Sequence, residues 1–273
     1  MENLSSQIVH KINLLENWFN SRTGSIVAFS GGIDSALVLF LARKFQGKEN
    51  VIGVISNSAS LKNRDFQQAK KFCEKFDIQL DVIVTKELDD VRYIQNPVNR
   101  CYYCKEHLFH DLTYIADKYP EFEVLSGTNA DDLGDYRPGI DAAKQYEVQS
   151  PMVDCNVTKE ELRQIAKFFE LPNWNKPASP CLSSRIPYNQ TVTVEKLKQV
   201  EAAEDILNSY GFDDVRVRHY GSLAKVEVKI EDMKKLRFVQ HEVIEEIKAL
   251  GFEQCEVDSE GLVSGKMNRV INK

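Results

Sequence analysis

Residues 27–35 read VAFSGGIDS, and the order of structures around this stretch decides the fold. The apolar, β-rich residues 25–29 run into the two glycines, and the long apolar run 36–42 follows them. This order predicts a strand, a glycine-rich turn and a buried helix. The glycines let the backbone approach an anion, and the first helical turn offers N–H donors reinforced by the helix dipole. We therefore predict a phosphate site formed by Ser30, Gly31, Gly32 and Ser35.

The acidic residue of this turn, Asp34, predicts a metal ion beside the phosphate. No lysine follows the glycines, so the stretch is neither a G-x-x-x-x-G-K-[ST] loop nor a G-x-G-x-x-G turn. A carboxylate would repel a phosphate unless a divalent cation bridged the two, so we assign Asp34 to Mg²⁺. The stretch resembles the SGGxDS loop of the PP-loop ATP pyrophosphatases, which implies ATP cleavage between the α and β phosphates. An ordinary glycine-rich turn is the alternative.

Composition limits the class of protein. The 273 residues, 42% hydrophobic and 28% charged, are typical of a globular chain with one large domain or two modest ones. No apolar run approaches the ~20 residues that span a bilayer, and no secretory signal begins the chain, so we expect a cytoplasmic protein without a membrane partner. The net charge of −6 disfavours a nucleic-acid partner, because such partners usually require a basic surface.

The pattern along the chain predicts an α/β fold followed by a smaller α+β domain. Strands predicted at 25–29, 51–56, 80–84 and 123–127 alternate with helices, which favours a parallel, Rossmann-like sheet of the adenine nucleotide α-hydrolase type with helices on both faces. These helices include 63–76 and 158–169, and the second begins with Thr158 and Glu161 at the spacing of a capping box. The loop 128–139 follows the fourth strand and should line the nucleotide cleft. We predict three parts of the chain: a PP-loop domain over 1–175, a hinge carrying Cys181 over 176–190, and an αββαβ domain for substrate binding or oligomerisation over 191–273.

The six cysteines indicate metal or catalytic use, since disulfides are rare in the cytoplasm. Cys101 and Cys104 form a C-x-x-C pair, but no second pair completes a structural zinc site. We select Cys181 as the third sulfur. Cys73 and Cys255 are predicted to be buried and to pack as small hydrophobic residues. Cys155 has two interpretations, a buried thiol or a fourth ligand.

Seven separated motifs resemble the LarE family of ATP-dependent sulfur transferases. In that family, the enzyme adenylates a carboxylate of pyridinium-3,5-biscarboxylic acid mononucleotide, releases pyrophosphate, and replaces AMP with sulfur to give a thiocarboxylate of the nickel-pincer nucleotide cofactor. The resemblance runs from about residue 29 to residue 268. The motifs are SGGIDS at 30–35, YYCK at 102–105, DYRPG at 135–139, NWNK at 173–176, SSRIPY at 183–188, VRVR at 215–218 and SGKMN at 264–268.

The sequence departs from one branch of this family at its sulfur donor. That branch sacrifices a cysteine of its own, and Pro180 stands at the matching position here, with Cys181 one residue later. The chain is similar to a second branch, in which three cysteines hold a [4Fe-4S] cluster whose open iron binds hydrosulfide. The resemblance implies Cys101, Cys104 and Cys181 as the ligands. Sacrifice of Cys181 is the alternative.

The resemblance also implies residues for the mononucleotide phosphate. Lys105, Ser184 and Arg185 would hold it, since a guanidinium fork matches phosphate oxygens and a lysine acts as a point charge. Arg216 is implied as a further substrate-site arginine. A structural salt bridge is the alternative for Arg216.

Two carboxylates, Glu204 and Glu227, are implied as ligands of a divalent cation. The alternative for Glu204 is a solvated helix face. The alternative for Glu227 is a cross-strand pair with Arg216 or Arg218.

Three other functions compete with sulfur transfer to a mononucleotide. A tRNA thiolase would pair the same loop with cysteines, but the net charge argues against it. An adenylating synthetase would use ammonia and need no cysteine cluster. A sensor would bind ATP or respond to redox state without turnover. The family resemblance further implies a homo-oligomer.

Overall fold

The computed structural model describes residues 4–134, 137–263 and 265–270 and divides them into two compact units. The first unit contains residues 4–58, 63–87 and 101–179. The second contains residues 59–62, 88–100 and 180–270. The division between Ser179 and Pro180 falls within the segment for which the sequence predicts a hinge. The two short segments that join the second unit were not predicted.

The sheet of the first unit is parallel, as predicted. Its strands are β1 Gly24–Ala28, β2 Val51–Ser56, β3 Gln79–Ile83 and β4 Phe122–Leu125. They lie in the order β3-β2-β1-β4. Strands β2 and β3 are thus added on one side of β1, and β4 pairs with β1 on its other side. The order therefore reverses between β1 and β4, and the carboxyl ends of these two strands form the crevice in which such sheets bind ligands.

Helices cover both faces of this sheet, which confirms the predicted layers. Ile26 and Ile52 pack against Leu112 on one face, and Leu39 approaches Gly53 on the other. In chain order, the described helices are α1 Ser6–Asn20, α2 Ile33–Gln46, α3 Asn63–Phe76, α4 Val91–Ile94, α5 Arg100–Ala116, α6 Pro138–Gln145, α7 Pro151–Asp154, α8 Lys159–Phe168, α9 Val194–Ser209 and α10 Met233–Lys248. None of these helices is long and apolar enough to cross a bilayer.

The predicted capping box fixes the start of α8. Glu161 N–H donates to Thr158 Oγ1 at 3.3 Å, and Thr158 N–H donates to Glu161 Oε2 at 2.9 Å. Each group satisfies a donor that the helix terminus would otherwise leave unpaired. Gln7 of α1 donates a further hydrogen bond to Glu161 at 2.8 Å. Lys159, the first residue of α8, is thereby held in a defined place.

The second unit has the predicted αββαβ order. Strands β5 Val215–Tyr220 and β6 Leu223–Val228 form an antiparallel hairpin, and β7 Gln254–Val257 joins β6 in parallel. One face of this sheet packs against α9 and α10 in an apolar core that includes Val217, Val226, Leu207 and Leu236. Alternate residues of β5 and β6 point to the other face, which is charged and still buried.

Residues 182–192 are a fixed part of this unit. Leu182 N–H donates to Ser60 O at 2.8 Å, and Val192 N–H donates to Ile94 O at 2.9 Å. Asn189 N–H donates to Asn96 O at 2.9 Å. Both Leu182 and Ser183 are fully buried, although this stretch is rich in polar residues. The two segments inserted from earlier in the chain therefore supply the hydrogen-bond acceptors that hold it.

Candidate active site

The turn between β1 and α2 is stabilised by its own serines. Ser30 N–H donates to Ser35 Oγ at 3.1 Å, and Gly32 N–H donates to Ser30 Oγ at 3.4 Å. Gly31 has φ +74°, a conformation that only glycine adopts at no cost. A methyl group at Gly31 would also lie 3.3 Å from Asp65 O. The predicted glycine-rich turn is therefore present at the carboxyl end of β1, at the crevice, and its phosphate site stays a prediction.

Asp34 lies in the first turn of α2 and contacts a lysine that the sequence analysis missed. Lys159 Nζ is 2.5 Å from each carboxylate oxygen of Asp34. Asn129 Nδ2, which follows β4, donates to Asp34 Oδ1 at 3.2 Å. The fold thus brings a cation from α8 to the turn, which has none of its own. The contact between Asp34 and Mg²⁺ stays a prediction.

The segment after β4 is built to meet this turn. Asn129 Nδ2 also donates to Asp132 Oδ2 at 2.9 Å, and Asp132 pairs with Arg137 at 2.8 Å. Asp131 Oδ2 accepts the backbone N–H of Lys159 at 2.9 Å. These bonds place residues 129–132 beyond the carboxyl end of β4 and beside Asp34. Asp135 and Tyr136 of the DYRPG motif lie outside the described residues.

Gly127 allows the closest approach between the two halves of the crevice. A methyl group there would lie 2.5 Å from Ser35 N and 2.9 Å from the Asp34 carbonyl carbon. Any side chain at this position would push the segment after β4 away from the first turn of α2. The role of Gly127 is not predictable from the sequence, because a single glycine after a strand has many possible causes.

Lys105 lies on α5, against another part of the DYRPG motif. A methyl group at Gly139 would lie 3.0 Å from Lys105 Cγ, so the two motifs meet. Within the described residues, Lys105 Nζ has no hydrogen bond or ion pair and lies 5.9 Å from the Phe109 ring centroid. Its charge is therefore open to a ligand, as the predicted phosphate contact requires. That contact stays a prediction.

The six cysteines fall into two sets, and none forms a disulfide. Cys73 and Cys155 are buried, and Cys255 is half-buried against the apolar core of the second unit. Burial raises the pKa of Cys73 to about 12 and the pKa values of Cys155 and Cys255 to about 11. Burial therefore disfavours the thiolate form of these three cysteines.

The other three cysteines are those selected from the sequence. Cys101 is exposed and Cys104 is half-exposed, and their spacing of three places them on one face of α5. Cys181 is half-exposed in the second unit, directly before the 3-10 turn Leu182–Arg185. Within the described ranges, no group of three or more His, Cys, Asp or Glu side chains is gathered to hold a metal ion. The cluster stays a prediction.

Arg185 and Glu204 form a buried ion pair in the second unit. Arg185 Nε donates to Glu204 Oε1 at 2.7 Å, and Lys62 Nζ lies 2.6 Å from Glu204 Oε2. Burial alone would raise the Glu204 pKa, but Arg185 and Lys62 hold it below the usual range. Glu204 is only 2% exposed, so its alternative interpretation as a solvated residue is wrong.

The remaining donors of Arg185 are also used. Nη1 donates to Pro180 O at 2.7 Å and to Ser184 Oγ at 2.8 Å, and Ser184 Oγ donates to Cys181 O at 2.8 Å. The guanidinium therefore organises the backbone around Cys181. The predicted phosphate contacts of Arg185 and Ser184 remain untested.

Glu227 pairs with Arg218 and not with the residue directly opposite. Arg218 Nη2 donates to Glu227 Oε2 at 2.9 Å, and Lys266 Nζ lies 3.3 Å from Glu227 Oε1. Arg218 Nη1 also donates to Ser184 O at 2.8 Å. The cross-strand alternative for Glu227 is thus realised with Arg218. Its role as a ligand of a divalent cation stays a prediction.

Arg216 is the unpaired member of this charged face. It is 8% exposed, and within the described residues its guanidinium has no hydrogen bond or ion pair. Burial, with Arg218 and Arg185 nearby, lowers the Arg216 pKa. A buried guanidinium beside two others favours an anion, so the salt-bridge alternative for Arg216 is not realised.

Comparison with known proteins identifies the class of domain that the first unit forms. The sequence model of the NAD synthase family matches residues 8–98. An NH₃-dependent NAD⁺ synthetase of Thermococcus kodakarensis is 30% identical over 162 residues, covering 55% of this chain and 58% of that protein. Together with the parallel sheet and the SGGIDS turn, these matches define a PP-loop ATP pyrophosphatase domain.

Two relatives match over nearly the whole chain. The pyridinium-3,5-bisthiocarboxylic acid mononucleotide synthase of Lactiplantibacillus plantarum is 34% identical over 247 residues, which cover 90% of each protein. An uncharacterized protein of Synechocystis sp. is 39% identical over 267 residues, covering 96% of this chain and 98% of that one. The chain belongs to the family of pyridinium-3,5-bisthiocarboxylic acid mononucleotide synthases, the LarE family, which confirms the resemblance found in its motifs.

Proposed function

We propose that this chain is an ATP-dependent sulfurtransferase that converts pyridinium-3,5-biscarboxylic acid mononucleotide to its thiocarboxylate form. The proposal is carried by the similarity to the synthase, which is 34% identical over 90% of both chains. This match extends far beyond the PP-loop domain. The NAD synthetase relative, by contrast, covers about half of this chain. Cys181 and the charged face of the second unit lie outside residues 8–98, which the NAD synthase model matches, and we assign them to the sulfur-transfer function.

The first step forms an acyl adenylate. A carboxylate oxygen of the substrate attacks the α-phosphorus of ATP, the bond to the bridging oxygen of the β-phosphate breaks, and pyrophosphate leaves. The turn from Ser30 to Ser35 offers backbone donors and the positive end of α2 to the leaving pyrophosphate. Lys159 would move from Asp34 to the phosphates, which would leave the carboxylate for Mg²⁺.

The second step replaces AMP with sulfur. Hydrosulfide attacks the acyl carbon, the bond between that carbon and the AMP oxygen breaks, and AMP leaves with the electron pair. Adenylation is needed because a carboxylate oxygen is a poor leaving group. A second round would convert the other carboxylate. We propose hydrosulfide as the chemical form in which the sulfur is supplied.

The accessible cysteines fit an iron–sulfur cluster. Cys101 is exposed, Cys104 and Cys181 are half-exposed, and thiolates are the usual ligands of such clusters. When bound, a cluster with three protein ligands supplies an open iron that can carry hydrosulfide. Arg185 and Ser184 hydrogen-bond the backbone around Cys181 and would keep its thiol in place. Free thiols also suit a cytoplasmic location.

The test is a single-turnover assay on anaerobically purified protein. With ATP, hydrosulfide and the mononucleotide, we expect AMP and pyrophosphate in equal amounts and a product in which sulfur replaces oxygen, detected by mass spectrometry. Ammonia in place of hydrosulfide should give no amide. An amide product, or no AMP with the correct substrate, would refute the proposal in favour of a synthetase or a sensor.

The cluster has its own test with matched controls. Iron and acid-labile sulfide should be lost in Cys101→Ala, Cys104→Ala and Cys181→Ala and retained in Cys73→Ala and Cys255→Ala. Absence of iron from every preparation, together with loss of H₂S from Cys181 after turnover, would replace the cluster by sacrifice of that cysteine. The adenylation step would stand in either case.

A further inference from the structure

Arg216 and Glu227 are opposite each other in the β5–β6 hairpin, yet they do not pair. The register places Arg216 directly across from Glu227, where opposite charges normally form an ion pair. Glu227 is 1% exposed, and its Oε2 accepts from Arg218 at 2.9 Å, while Oε1 has no hydrogen bond and lies 3.3 Å from Lys266 Nζ as an ion pair. Something must therefore hold this carboxylate away from its nearest partner.

Lys266, from the SGKMN motif to which no role has been assigned, is placed to do so. Its Nζ lies 2.7 Å from Asp258 Oδ2 and 3.0 Å from Gly261 O, in addition to the contact with Glu227. Glu260 Oε2 is 3.5 Å away. Four oxygens thus surround one ammonium, and its side chain is only 12% exposed. Ser264 of the motif lies outside the described residues.

The consequence of this arrangement is an open guanidinium. The charged groups that face Arg216 are Arg218, Arg185, Glu227 and Asp214. Neither acidic group pairs with it, since Glu227 is held as described and Asp214 lies 3.9 Å from Lys229. The planar donors of a guanidinium match two oxygens of a phosphate. Arg216 can meet an anionic ligand only while Glu227 stays turned away.

We propose that Lys266 is a positioning residue that restrains Glu227 and so keeps Arg216 available for the phosphate of the substrate mononucleotide. This inference rests on the proposed function, whose substrate carries that phosphate. Removal of the Lys266 charge releases Glu227 Oε1, which then pairs with Arg216 across the strands. The ligand must break that pair before it can bind.

The test is the dissociation constant of pyridinium-3,5-biscarboxylic acid mononucleotide, measured by titration calorimetry without ATP and with EDTA to exclude divalent cations. Lys266→Met should weaken binding about tenfold, the size expected for one charge-assisted hydrogen bond. Lys266→Arg, which restores a cation, should bind within about twofold of the wild type. The KM for ATP should stay unchanged in both.

The double variant Lys266→Met/Glu227→Gln distinguishes restraint from a general structural role. A neutral glutamine cannot neutralise Arg216, so the dissociation constant should return to that of Glu227→Gln alone. An equal weakening by Lys266→Met in both backgrounds would overturn the proposal, as would no effect in the wild-type background. If thermal denaturation shows that Lys266→Met does not fold, the same measurements are made on Lys266→Gln, which can still donate a hydrogen bond to Asp258.

Arg216→Gln separates this inference from the proposed function. If it weakens binding and Lys266→Met does not, the restraint is refuted and the phosphate contact stands. If Arg216→Gln has no effect, Arg216 does not bind the phosphate and the restraint is refuted, whereas the proposed function is decided separately by the single-turnover assay.

Discussion

The contact between Gly127 and the first turn of α2 gives a sharp prediction for Gly127→Ala. The added methyl group would lie 2.5 Å from Ser35 N, 2.8 Å from Ser35 Cα and 2.9 Å from the Asp34 carbonyl carbon. Ordinary contacts begin near 3.4 Å, so the two backbone segments must separate by about 0.9 Å. All three atoms are backbone atoms of a helix, so no rotamer change relieves the clash.

This displacement moves the anion turn relative to the segment that carries Asn129. A misplacement of about 1 Å typically lowers a rate by about 100-fold, and we expect that loss in kcat/KM for ATP. Overpacking of this size should also lower the free energy of unfolding by about 1–3 kcal/mol. The assay is substrate-dependent exchange of pyrophosphate into ATP, with thermal denaturation in parallel.

Gly134→Ala is the matched control. It makes the same chemical change in the same loop region, and no atom lies within 4 Å of the added methyl group. Both substitutions reduce the freedom of the unfolded chain equally, so their difference isolates the contact. Equal exchange rates for the two variants would refute the close approach at Gly127.

Three further predictions follow from single groups. Lys159→Met should raise the KM for ATP by about 10- to 100-fold, because it removes a charge-assisted contact with the phosphates; steady-state kinetics measure this. Glu204→Gln should lower the free energy of unfolding by about 3–5 kcal/mol in urea, because Arg185 is left buried without its counter-charge. Burial lowers the pKa of His219 below its ordinary 6.5, and Lys196 lowers it further. Below about pH 6.5 the unfolded chain binds a proton that the folded chain does not. The free energy of unfolding should therefore decrease as the pH is lowered below about 6.5, by at most about 1.4 kcal/mol per pH unit. His219→Gln should remove this pH dependence.

Each of these has an exposed counterpart on a helix of the same unit. Lys167→Met on α8, Asp205→Asn on α9 and His241→Gln on α10 change the same kinds of side chain at exposed positions. We expect near wild-type behaviour in all three. If a control variant changed the measured quantity as much as the variant it is paired with, the effect would not depend on the specific contact.

Much of the fold was predictable, because it depends on local patterns. The bounds of β2 and α3 agree with the sequence prediction, and the Thr158–Glu161 capping box forms as expected. These features are set by residues within a few positions of each other. The predicted limits of the other strands differ by one or two residues, since strand ends depend on pairing with neighbours.

The site was predictable only where its residues share a motif. Lys159 is 125 residues from Asp34, and nothing local marks a lysine at a helix start as the partner of a distant carboxylate. Glu204 looks solvated in sequence because its partner Lys62 comes from a loop before α3. Period-two alternation put Arg216 and Arg218 on one face, but it cannot tell which of them pairs with Glu227.

The discontinuous second unit has a consequence for synthesis of the chain. Residues 59–62 and 88–100 supply acceptors to the backbone of residues 182–192, and about 80 residues separate Arg100 from Pro180. At typical rates of translation, 80 residues take roughly 4–16 s, and residues 59–62 emerge earlier still. During this interval the carbonyl oxygens of Ser60 and Asn96 lack the N–H donors of Leu182 and Asn189. A fragment that begins at Pro180 would lack both segments. The small unit therefore needs three separate stretches of the chain, although most of its residues come from the last one.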